Sequence, residues 1–165
     1  MSSSLLYLDY DGVLHYHDVR VHPLIGPYLS AAPDGAVLFQ HLDVLRELLT
    51  PYPHVQIILS TSWAKRYGLA KAKKQLHPDM RERVIGSVYR PAMTEAWLRT
   101  VPRGELVLAD VERRKTDTWL AFDDDGAGWP PEHVGHLVLL DKNEGLGSQI
   151  AVTKAKAALK ATFTL

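Results

Sequence analysis

Acidic and hydroxyl side chains recur at one kind of place in this chain, directly after short apolar runs. Residues 4–9 end in Asp9 and continue as Tyr10-Asp11-Gly12-Val13-Leu14, residues 55–60 run into Ser60-Thr61-Ser62, and residues 118–123 deliver Asp123-Asp124-Asp125-Gly126. Carboxylates held within a few ångströms of one another repel unless one is protonated or a cation lies between them. A hard divalent ion removes the conflict. Oxygen donors without thiolates favour Mg²⁺ over zinc, because Mg²⁺ binds through one or two carboxylates, water and substrate phosphate. The candidate ligands are Asp9, Asp11, Asp123 and Asp124. Acids, a hydroxyl and a basic side chain around such an ion suit phosphoryl transfer, in which a carboxylate can itself attack phosphorus and form an aspartyl-phosphate.

For these residues to meet, the apolar runs must be neighbouring strands. Leu-, Val- and Ile-rich runs at residues 4–9, 55–60, 84–88, 118–123 and 136–141 alternate with stretches of helical spacing, the pattern of an α/β protein. The expected fold is a Rossmann-like three-layer sandwich around a mostly parallel sheet of about five strands. In such a sheet, ligands bind outside the carboxyl ends of the strands, where all three acidic or hydroxyl segments would lie. Leu38, Leu42, Leu45 and Leu49 predict one amphipathic helix ended by Pro51 and Pro53. Pro102 predicts a helix start at residues 102–114, and Ile150, Val152, Ala155 and Leu159 a last helix after Ser148. Residues 14–35 read as a loop or small irregular insertion over the sheet edge.

Asp9-Tyr10-Asp11-Gly12-Val13-Leu14 resembles motif I of the haloacid dehalogenase (HAD) superfamily. Ile57-Ile58-Leu59-Ser60-Thr61-Ser62-Trp63 resembles motif II, and Trp119-Leu120-Ala121-Phe122-Asp123-Asp124-Asp125 resembles motif IV, in the same order. Val84-Ile85-Gly86, and residues 136–141 followed by Gly145-Leu146, are similar to the HAD domain of bacterial Swiss Army Knife RNA repair proteins. The resemblance implies that Asp9 is the nucleophile and that Asp11 protonates the leaving oxygen and then activates water. It implies that Thr61, or Ser60 if the strand ends one residue earlier, holds a phosphate oxygen. An Asp at position 11 disfavours the dehalogenase branch.

The superfamily also uses a cation, usually Lys, and the candidates here are Arg103 and Lys115. Eight residues of mostly extended chain separate Lys115 from Asp123, roughly 20 Å at about 3.3 Å each. That places Lys115 at the wrong end of the sheet. Arg103 lies in the first turn of the preceding helix, which faces the crevice, and its fork suits a dianion.

At 165 residues the chain is expected to form one domain over residues 1–165. Hydrophobic residues are 46% and charged ones 23%, which disfavours disordered and coiled-coil classes, and the absence of Cys removes disulfides and thiolate chemistry. No apolar run exceeds four residues, so no membrane span is expected. The start meets Asp9 without a basic region, so no signal peptide is expected and the location is expected to be cytoplasmic.

Nineteen basic residues balance nineteen acidic ones, leaving no global field toward nucleic acid. Between residues 65 and 83, however, Lys65, Arg66, Lys71, Lys73, Lys74, Arg81 and Arg83 face only Asp79 and Glu82, either a solvated helix face or a track for nucleic acid. Trp63 beside it is a candidate for base stacking or core packing, and Trp129 for the crevice mouth or a loop anchor. His15, His17 and His22 superficially suggest metal ligands, without a second cluster to support a closed zinc site.

The expected function is a Mg²⁺-dependent phosphohydrolase without a large cap. Its open crevice favours a nucleotide, a polynucleotide end or another large phosphoester. The rival readings are a non-catalytic module binding phosphate or nucleic acid within a repair complex, and a phosphoprotein phosphatase.

Overall fold

The computed structural model describes residues 2–164. Its centre is β1, Ser4–Leu8, whose alternation splits the core: Leu6 and Leu8 enter one hydrophobic cluster, Leu5 and Tyr7 the other. β1 pairs in parallel with β4, Gln56–Leu59, and with β6, Thr118–Asp123. Outside them lie β5, Val84–Ser87, and β7, Leu137–Leu139, giving the order β5-β4-β1-β6-β7, all parallel. Five strands were read from the sequence, and the weakest of them, at residues 84–88, is a genuine edge strand.

Helices cover both faces, completing the three layers. On the Leu6 side pack α1, Leu42–Leu49; α2, Ser62–Tyr67; α3, Leu69–Lys73; α4, Pro78–Arg81; and α7, Gln149–Phe163. On the Leu5 side pack α5, Glu95–Thr100, and α6, Arg103–Arg114, through Leu98, Leu106 and Val107.

Three expectations need correction. Residues 14–35 are not irregular throughout: β2, Val19–His22, and β3, Gly26–Leu29, form an antiparallel hairpin. Its strands are four residues long and largely exposed, so little hydrophobic alternation marked them. α1 starts at Leu42, four residues after Leu38, which packs against the core from a turn. In α7 the buried stripe is Ala151, Ala155, Leu159 and Phe163, while Ile150 is exposed because it lies one position off that 3.6-residue row.

Between β1 and α1 the hairpin is the one regular insertion among the described residues, and there is no large cap. Val19 and Val21 of β2 border the same small cavity as Asp11, Ser62 and Trp63, so the hairpin flanks the carboxyl end of the sheet. No helix is long and apolar enough to cross a membrane.

Candidate active site

Strand register sets the level of the site. Leu8 pairs with Leu59 on one side and Phe122 on the other, so the next residues, Asp9, Ser60 and Asp123, leave three adjacent strands at the same height. The Asp9 N–H donates to Phe122 O at 3.1 Å, and the Ser60 N–H to Leu8 O at 3.0 Å. Asp124 follows on the loop. Gly12 makes room for it: its φ is +76°, and a Cβ there would run into the Asp124 carboxylate.

Oxygen atoms of Asp9, Asp123 and Asp124 lie within 4.8 Å of one another, the only such acidic or histidine group among the described residues. Asp9 is 3% exposed and Asp123 0%, so charge on them is costly. Burial raises the Asp9 carboxyl above its ordinary value against the opposing pull of Arg103, and burial followed by the Asp9 charge raises Asp123 well above its own. Asp124 is pushed up to about 7, by burial first and then by Asp9. Asp123 Oδ1 accepts from the Asp125 N–H at 3.0 Å, whereas Oδ2 is buried without a hydrogen bond. Three acids converging on an orphaned carboxylate oxygen fit a hard divalent cation.

Arg103 stands over this group. Its Nη2 is 3.9 Å from Asp9 Oδ1 and its Nε 3.5 Å from Asp123 Oδ2. Burial lowers the guanidinium's pKa, but Asp9 and Asp123 more than reverse this, and Nη1 remains buried with no acceptor. An unfilled donor beside a cation site is where an anionic oxygen fits. The Gly104 N–H holds the start of α6 to Ala127 O at 2.8 Å, on the loop that follows β6. Lys115 sits exposed in a left-handed conformation at the other end of α6.

Asp11 is set apart from the other three acids. Its Oδ1 accepts from Trp63 Nε1 and from His15 Nε2, both at 2.8 Å, and no hydrogen bond among the described residues reaches Oδ2. His15 is buried, and its Nδ1 accepts from the Phe39 N–H at 3.1 Å, which places the ring proton on Nε2. Phe39 takes a φ of +57° to present that N–H, a conformation that costs energy for a side chain of its size.

The sequence reading missed His15 and Trp63 as holders of Asp11. The spacing of Asp11 and His15 was visible, but it marks a contact only because the chain turns through Gly12, whose N–H donates to His15 O at 3.0 Å. His17 and His22 join no cluster: the His17 N–H donates to Lys142 O, and His22 Nδ1 accepts from Leu24 N–H in the hairpin.

Both candidate hydroxyls are buried. Thr61 Oγ1 caps α2 by accepting from the Trp63 N–H at 3.2 Å. Trp129 stacks on Trp119 and donates to Asp125 O, anchoring the loop. Within the basic segment, Arg83 turns inward to the carbonyls of Val55, Leu49 and Tyr52, and Arg81 to those of Lys74 and Leu76. Lys65 pairs with Glu95 at 2.9 Å. The run of charge in sequence is therefore not one continuous surface.

The family profile described as the HAD domain in Swiss Army Knife RNA repair proteins matches residues 5–151. The chain belongs to this family. No curated protein and no solved structure gives a match. Membership points this HAD domain toward hydrolase chemistry, and its buried Asp cluster is compatible with a metal ion.

Proposed function

We propose that this HAD domain is a Mg²⁺-dependent phosphohydrolase that works through an aspartyl-phosphate on Asp9. The observation that carries the reading is the convergence of Asp9, Asp123 and Asp124, with an orphaned Asp123 oxygen, beneath an Arg103 guanidinium that still has a donor to give. Asp9, Asp123 and Asp124 would hold Mg²⁺, which when bound offsets their mutual repulsion and the charge that develops on phosphate oxygens.

Asp9 attacks phosphorus, the bond to the leaving oxygen breaks, and Asp11 gives that oxygen its proton. Asp11, now a carboxylate, takes a proton from the water that attacks the phosphorylated Asp9; inorganic phosphate leaves and both side chains are restored. Trp63 and His15 hold Oδ1 of Asp11, so Oδ2 is the oxygen that carries the proton. Arg103 clamps the transferring group as a planar fork, and Ser60, level with Asp9 in the strand register, donates to a phosphate oxygen. Thr61, already engaged as a cap, is the second choice for that role.

The absence of a large cap supports a phosphate carried on a nucleotide, a polynucleotide end or another large phosphoester. The test is turnover of a generic aryl phosphate with Mg²⁺ and with EDTA, by the wild type and by Asp9→Asn. Turnover lost in both EDTA and the variant supports the proposal. Turnover that ignores either one sinks it, and a folded protein that binds phosphate or RNA without turnover favours a non-catalytic module.

A further inference from the structure

A groove leads away from the proposed reaction centre along edge strand β5. The cavity of about 210 Å³ that contains Arg103 and Asp125 shares Lys65, Tyr89 and Leu98 with a larger one of about 590 Å³. That cavity in turn shares Arg90 and Met93 with a cleft of about 370 Å³ beside Trp97. Tyr89 stands at the first junction, close enough for Arg103, Asp9 and Asp123 to act on its hydroxyl.

The lining of the groove is basic and ordered from beneath. Asp110, 3% exposed, accepts from Tyr7 Oη at 2.9 Å and holds Arg113 Nη2 and Arg114 Nε, each at 2.6 Å. One buried acid therefore orients two guanidinium groups that both line the cavity. Arg114 spends only Nε on that contact, and the missing Cβ of Gly86 leaves space for its Nη2. Arg90 is exposed and makes no ion pair among the described residues, whereas Lys65 is tied to Glu95. Four bases meet two acids here, so a net positive field remains.

Distance and ring chemistry choose the occupant. Ten residues of α6 separate Arg103 from Arg113, roughly 15 Å at about 1.5 Å per residue. A lone phosphate ester bound at Arg103 would not reach the distal arginines. A chain bearing repeated phosphates would. Trp97 is 41% exposed at the far cleft, an uncovered ring on which a base can stack. Basic lining followed by an aromatic platform is the arrangement that holds single-stranded nucleic acid. A phosphopeptide brings one phosphate and has no use for the far end.

We propose that this groove is the track for a single-stranded polynucleotide whose terminal phosphate lies at Asp9. Arg90, Arg113 and Arg114 take internal phosphodiesters, and Trp97 stacks a base. The proposal rests on the phosphohydrolase reading for what happens to the terminal phosphate, but its binding part can be tested without turnover.

The experiment measures anisotropy of a labelled, terminally phosphorylated hexanucleotide on Asp9→Asn over a salt series, and kcat/KM of the wild type on phosphorylated oligomers of increasing length and on an aryl phosphate. Four phosphate contacts, the terminal phosphate at Arg103 and three internal ones, predict a log–log salt slope of about −3, and Arg90→Ala should reduce its magnitude by about 0.7. Trp97→Ala should weaken hexanucleotide binding by about tenfold. Arg113→Ala is read only beside its melting curve, because Asp110 is left with one arginine fewer.

Asp9-dependent turnover of the aryl phosphate with no gain from oligomer length overturns the track and leaves the phosphatase standing. Oligomer binding with the expected slope but no turnover by the wild type supports the track and overturns the phosphatase. A phosphoserine peptide that gains as much from lengthening, and loses as much with Arg90→Ala, overturns the choice of nucleic acid.

Discussion

Mg²⁺ binding should be steeply linked to protons, and Asp124→Asn isolates the link. In the metal-free protein the Asp124 carboxyl is raised from 3.8 to about 7, by burial and then by Asp9. At about 1.36 kcal/mol per pH unit this is at most ~4 kcal/mol, and the partial exposure of the group screens it to about half, ~2 kcal/mol. A raised folded pKa stabilises fully below the unfolded value, near pH 4, and that stability is lost as pH rises through about 7. About two of the three shifted pH units lie above pH 5, so metal-free wild type should lose about 1.3 kcal/mol relative to Asp124→Asn between pH 5 and pH 8, about 3–5 °C in melting temperature for a domain of this size.

Mg²⁺ must displace the proton, so its apparent affinity should fall about tenfold per pH unit below about 7, roughly a hundredfold at pH 5. Thermal shift with EDTA and with graded Mg²⁺ at both pH values, on both proteins, reads each quantity. A wild-type-minus-variant difference that does not change with pH, or a Mg²⁺ affinity flat across that range, would refute the electrostatic account of the cluster.

Two further perturbations separate chemistry from scaffolding. His15→Ala frees Asp11 from one of its two anchors, so hydrolysis of alkyl phosphates, which need a proton on the leaving oxygen, should fall about tenfold to a hundredfold, within the usual share of acid–base catalysis. Esters with a good leaving group should fall much less, and steady-state kinetics showing equal losses would mean that His15 only supports the fold. Arg83→Ala removes three contacts to main-chain carbonyls and should cost about 3 kcal/mol in denaturant melts, since charged hydrogen bonds contribute about 1.5–3 kcal/mol, with kcat and oligonucleotide affinity retained. A loss of RNA affinity with stability intact would restore Arg83 to the binding surface.

The sequence was enough to bring Asp9 and Asp123 to one rim, but not to separate Asp11, which it grouped with the cation ligands, from Asp9, Asp123 and Asp124. Apolar runs of strand length ending in Asp9, Ser60 and Asp123 imply a common rim, because a parallel sheet brings the ends of its strands to one side, and the register of β1 with β4 and β6 bears this out. The position of Arg103 followed from the direction in which a helix returns along such a sheet. These inferences succeed because burial and element direction are written locally, in the period of hydrophobic residues.

The tertiary structure alone decided the contacts between loops. Asp11 meets Trp63 across 52 positions and His15 meets the N–H of Phe39 across 24, through turns that need positive φ at Gly12 and Phe39, and hydrophobic period carries no record of such turns. The same holds for charge. Lys65 to Arg83 looks like one basic stretch in sequence, but backbone carbonyls claim Arg81 and Arg83, while Arg90, Arg113 and Arg114, from the loop after β5 and the end of α6, line one groove. A side chain's partner is set by which surfaces pack together, and that is a property of the folded chain rather than of any window along it.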